Sequence, residues 1–125
     1  MAKKSKYAGK FVVAFDTLCE GEQCFKDEDN APTLYNSYRV AYKEMFDDNL
    51  SILESHADSG QLKDLNEGVT NKMVKEMAKI YKSGNLKAME KFMEENPNCN
   101  DMDSWVVSAE EFILGRKAIF TRIGR

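Results

Sequence analysis

The sequence predicts an α+β fold: a small antiparallel sheet, made of an N-terminal hairpin and a C-terminal strand, with about three helices packed on one face. Three observations carry this. Phe11, Val13 and Phe15 alternate with Val12, Ala14 and Asp16 in a β-branched and aromatic run, the period-two signature of a strand. Tyr38, Ala41, Tyr42, Met45, Phe46, Ile52 and Leu53 recur at helical spacing, with Lys43, Glu44, Asp47 and Asp48 filling the opposite side. The chain has 125 residues, 42% of them hydrophobic, which suits one domain with a buried core.

Taken in order, residues 1–9 are polar, lysine-rich and without period, so the domain is expected over 10–125 behind a flexible start. After the strand at Phe11–Asp16, Glu20-Gly21 marks a turn, and Glu22–Lys26 reads as a second strand pairing back. Asp27 to Pro32 is loop by composition, and Thr33–Tyr35 is a candidate third short strand. Ser37 is placed to cap a helix over about 37–55. One further turn is expected around Leu62 and Leu65. Thr70 then caps a helix facing inward through Met73, Val74, Met77 and Tyr81, stopped at Ser83-Gly84. Asn85 caps another, with Leu86, Met89, Phe92 and Met93 inward, ended by Asn96-Pro97.

The tail has two readings. Ser108 and Glu111 have the form of a capping box, which starts a helix. One helix through Ile123 would bury Arg116 and carry Gly115 inside, at about 1 kcal/mol for the glycine. A short helical turn, a break at Gly115 and a final strand from Arg116 to Arg122 fits better.

The strings Phe11–Gly21 (FVVAFDTLCEG), Pro32–Ser37 (PTLYNS) and Glu110–Phe120 (EEFILGRKAIF) resemble those of small bacterial proteins carried on phage and mobile elements. The resemblance covers about a quarter of the chain. It implies a hairpin-then-helix module and carries no activity.

Charge is distributed unevenly. Lys3, Lys4, Lys6 and Lys10 open the chain and Arg116, Lys117, Arg122 and Arg125 close it, with no acidic residue among them. Residues 11–115 hold the other ten basic residues and all 21 acidic ones, a net −11. The overall charge of −3 argues against wholesale coating of nucleic acid, but leaves room for a local basic patch at the two ends. No run approaches the roughly 20 apolar residues of a membrane span, and the short apolar stretch before Asp16 is not a signal peptide. Three cysteines without secretory context fit reduced thiols in a cytoplasm.

Candidate chemistry is sparse. Asp16 ends an apolar strand, and Phe15-Asp-Thr-Leu18 resembles the first motif of the haloacid-dehalogenase hydrolases, but Leu18 stands where that motif needs a second Asp. A metal-dependent hydrolase centred on Asp16 is therefore the remotest reading. His56 is the only histidine and sits where an imidazolium can complement a helix C-terminus. Cys19, Cys24, Cys99 and His56 lack the paired spacing of a zinc site. Asp27, Glu28, Asp29 and Asn30 lack the glycine and distal glutamate of a calcium loop. No metal or cofactor is expected.

Met73 with Met77 and Met89 with Met93 form i,i+4 pairs on consecutive helices, either core packing or a candidate groove for a partner. The best functional expectation is a small non-enzymatic accessory protein, of phage or mobile-element type, that binds a protein. The alternative is nucleic-acid binding through Lys3, Lys4, Lys6, Lys10, Arg116, Lys117, Arg122 and Arg125.

Overall fold

The computed structural model describes residues 6–115. They form a three-stranded antiparallel sheet of order β2-β1-β3, together with helices, an α+β arrangement. The strands are β1 (Phe11–Thr17), β2 (Gly21–Cys24) and β3 (Ser104–Ser108); the helices are α1 (Tyr38–Asp58), α2 (Leu62–Leu65), α3 (Asn71–Ser83) and α4 (Leu86–Glu95). The chain divides into two compact units. One joins the residues up to Ala41 to those from Trp105 onward; the other is Tyr42–Ser104.

The first unit is built on the hairpin. Ala14 pairs with Cys24, Phe15 with Gln23, Asp16 with Glu22 and Thr17 with Gly21. The turn is held by Thr17, whose Oγ1 donates to Gly21 O at 2.7 Å and accepts from Glu20 N at 3.0 Å. Beyond β2, Asp27 Oδ1 accepts from the Asp29 and Ala31 amides, which closes the acidic loop on itself. The segment expected as a strand at Thr33–Tyr35 is reduced to isolated bridges, Phe11 with Tyr35 and Lys26 with Pro32. Pro32 has no amide to extend a ladder there.

The third strand is where sequence and structure part. The expected strand at Arg116–Arg122 lies outside the described residues, and among the described ones the third strand is β3, Ser104–Ser108. After it, Glu110–Leu114 forms a π-helical turn, and Gly115 ends it in the left-handed region at φ 66°. The Glu111 amide reaches Ser108 Oγ at 3.5 Å, the first half of the expected capping box.

At the other end, residues 6–9 form a turn closed by Lys10 N donating to Tyr7 O. The Tyr7 ring is half-buried against a cluster of Val12, Cys24 and Ala109 that Leu34, Val107, Phe112 and Ile113 also cover. The remaining residues of the expected flexible start, 1–5, lie outside the described chain.

The second unit is helical, and its caps follow from residue type. Thr70 Oγ1 accepts from Met73 N and Asn85 Oδ1 from Ala88 N; the cap of α1, Ser37 Oγ accepting from Val40 N, lies in the first unit. Gly84 ends α3 in the left-handed conformation. The interior gathers Met45, Phe46, Leu50 and Leu53 of α1, Val74 and Met77 of α3, and Met89, Phe92 and Met93 of α4. Phe46 and Phe92 meet edge to face with ring centroids 6.1 Å apart.

Candidate nucleic-acid interface

Two of the eight terminal basic residues fall in the described chain. Lys6 is exposed, with its ammonium 5.1 Å from the Tyr7 ring centroid. Lys10 is half-buried and its Nζ donates to Asn36 Oδ1. Lys3, Lys4, Arg116, Lys117, Arg122 and Arg125 lie outside the described residues.

The described residues that border the two basic segments in sequence are tied to each other. Ala109 N donates to Lys10 O at 2.9 Å, so the start of β1 and the end of β3 are tied backbone to backbone. Tyr7 from the N-terminal side and Phe112 and Ile113 from the C-terminal side cover one apolar cluster. Lys6 directly precedes the first of these residues, and Arg116 follows the last by three positions.

The methionines take the first of the two readings of their spacing. Met77, Met89 and Met93 are buried and Met73 is half-buried, so the i,i+4 pairs serve as packing inside the helical unit rather than as an open groove. Asp16 is exposed at the end of β1 opposite Glu22. Among the described residues no three His, Cys, Asp or Glu side chains are grouped to hold a metal ion.

His56 serves as a structural tie. Asp101 Oδ1 accepts from Asn66 Nδ2 at 2.7 Å, which turns the Asn66 carbonyl oxygen toward His56 Nδ1 at 2.5 Å. A carboxylate only accepts, so the amide orientation is fixed and His56 Nδ1 carries the hydrogen. Three segments of the helical unit are joined in this way. Cys19 is exposed, whereas Cys24 and Cys99 are buried, and burial raises the pKa of both thiols.

One basic surface escaped the sequence reading. Lys72, Lys75, Lys79 and Lys82 are all exposed on α3, and their 3-4-3 spacing places them along one face. The face lies opposite Val74 and Met77, which are buried. Glu76 is the only acidic residue of α3. The signal was legible, since lysine at helical spacing needs no structure to be seen. It was hidden because charge was summed over residues 11–115, where the acidic loop and α1 outweigh it.

The acidic counterpart is on α1. Desolvation, and then Asp48 and Asp47, raise the pKa of Glu44; desolvation, and then Asp47, raise that of Asp48. Lys43 Nζ sits 5.3 Å from the ring centroid of Tyr81 at the end of α3. Farther along, Glu54, Ala57 and Asp58 of α1 line a cleft with Asn71, Val74 and Lys75 of α3. Its lining is mostly polar and exposed, unlike the apolar enclosures that take small molecules.

No helix among the described residues is long and apolar enough to cross a membrane. No protein-family model matches the chain, and neither a curated protein nor a solved structure matches it.

Proposed function

We propose that this is a non-catalytic nucleic-acid-binding protein whose two basic ends act together on the phosphate backbone. The observation that supports it is the Ala109 N to Lys10 O hydrogen bond at 2.9 Å, reinforced by the apolar cluster that Tyr7, Phe112 and Ile113 share. Of the eight basic residues Lys6 and Lys10 lie in the described part of this unit; in sequence, Lys3 and Lys4 precede Tyr7, and Arg116, Lys117, Arg122 and Arg125 follow Gly115. Charge gathered in this way attracts phosphate irrespective of base sequence. Met77, Met89 and Met93, which could have lined a groove for a protein partner, are buried.

The test is fluorescence anisotropy of labelled duplex and single-stranded DNA and RNA at ~50 and ~200 mM salt. Micromolar or tighter binding that falls by a factor of about a thousand between the two salts is the expected result for six or more phosphate contacts. Absence of binding at the lower salt sinks the proposal.

A protein partner remains the second reading on one observation. Leu18 is fully exposed at the hairpin tip, on a turn that Thr17 holds in shape. A preorganised apolar side chain of this kind is suited to fill a partner's pocket. Affinity capture that survives high salt and disappears with Leu18→Ser is the result this reading predicts.

A further inference from the structure

We infer that the lysine row of α3 is a second nucleic-acid-binding surface, along which a phosphodiester backbone runs parallel to the helix. Lys72, Lys75, Lys79 and Lys82 cover ten helical steps, about 15 Å at 1.5 Å per residue. All four are exposed, and none has an ion-pair or hydrogen-bond partner among the described residues. Along α3 only Glu76 stands at i±3 or i±4 to the row, next to Lys72 and Lys79. Lys75 also shares a cleft with Glu54 and Asp58, so its charge is partly offset. Lys72, Lys79 and Lys82 are outside that cleft.

The chemistry of the row selects the occupant. A membrane-surface helix must insert an apolar face, and the apolar face of α3 is already used, with Val74 and Met77 buried in the helical unit. A protein partner needs a central apolar or aromatic anchor, and no such side chain is exposed within the row. A linear polyanion needs only evenly spaced cations. Each strand of duplex DNA carries one phosphate per about 3.4 Å of the duplex axis, so flexible lysines spread over about 15 Å meet several phosphates of one backbone. Lysine is a flexible point charge without the planar fork of arginine, so the contact reads backbone and not bases.

This extends the reading of the protein as a nucleic-acid binder and can fail separately from it. The probe is a labelled DNA duplex of about 20 base pairs, titrated with the full chain between ~50 and ~200 mM salt. Two variants are compared: the row variant, with Lys72→Gln, Lys75→Gln, Lys79→Gln and Lys82→Gln, and the end variant, with Arg116→Gln, Lys117→Gln, Arg122→Gln and Arg125→Gln. The row variant is expected to lower the slope of log affinity against log salt by about three, and to weaken binding at least tenfold at ~50 mM. Lysine-to-arginine exchange at the same positions should restore both. Glutamine keeps helix propensity close to that of lysine, so the unfolding midpoint should not move. If the fourfold variant does not fold, the Lys72→Gln/Lys79→Gln pair should still lower the slope by about two.

A folded row variant with wild-type affinity and slope overturns the inference. If the end variant is then the one that loses binding, the proposed function stands without the row. Loss confined to the row variant keeps the inference and overturns the role of the ends. No binding by the unaltered chain removes both. Capture of the chain by phosphatidylserine vesicles, lost in the row variant, overturns nucleic acid in favour of a lipid surface.

Discussion

Asn49 Nδ2 donates to Ser104 Oγ at 3.1 Å, joining the middle of α1 to the first residue of β3 across 55 positions of sequence. The same amide nitrogen donates to Met45 O at 3.1 Å, and Asn49 Oδ1 accepts from Met102 N at 3.2 Å. Ser104 Oγ passes the chain on by donating to Asn100 Oδ1 at 2.9 Å. Asn49 is fully buried, and no buried side-chain nitrogen or oxygen among the described residues lacks a partner.

Asn49→Ala should therefore be costly. It strands the Met102 amide and leaves a void, together worth about 2–4 kcal/mol of stability. Urea denaturation measures this. The Asn49→Ala/Ser104→Ala pair should lose less than the sum of the two single changes, because they share one network.

The acidic face of α1 predicts a pH dependence. Folding raises the Glu44 and Asp48 carboxyls above their ordinary values of about 4.5 and 3.8, chiefly by desolvation. The folded state then holds protons that the unfolded state has released. In the window between the ordinary and the raised values, these groups make stability fall as pH rises. Below both values they contribute nothing to the difference. Glu44→Gln with Asp48→Asn should gain stability relative to the natural chain as pH climbs from about 4 to 7, and match it below about 3.5. Urea midpoints across that range decide it. A gain that is the same at all pH values would assign the effect to packing.

Gly68 tests the loop between α2 and α3. Its φ is +81°, and a Cβ there would lie 2.9 Å from Asn98 Nδ2, which donates to Glu67 O. Gly68→Ala should cost about 1–2 kcal/mol through backbone strain and displacement of Asn98. Gly60→Ala is the control: it shares a positive φ, at +76°, but meets nothing within 4 Å. The difference in thermal midpoint between the two variants isolates the steric part.

The helices were the legible part of this chain, because each carries its own punctuation. Ser37, Thr70 and Asn85 cap as their side chains dictate, and Gly84 and Gly115 stop what precedes them. The third strand was not legible. Trp105, Val106 and Val107 form an apolar run of only three residues between serines, too short to display a period. The break at Gly115 and the charge of Arg116 argue instead for a strand at Arg116–Arg122, which lies outside the described residues. For the candidate interface, the basic ends were visible from composition. That Lys10 and Ala109 are bonded partners is a tertiary fact, 99 residues apart in sequence, and no local signal encodes it.

The three thiols have a practical consequence. Cys19 is open to a reagent at the hairpin tip, whereas Cys24 is closed inside the sheet unit and Cys99 inside the helical one. A maleimide dye should mark the native chain once, without any engineered position. The two slower additions then act as clocks, one in each compact unit. Their relative rates in mild denaturant would report whether the units open as one body or in turn.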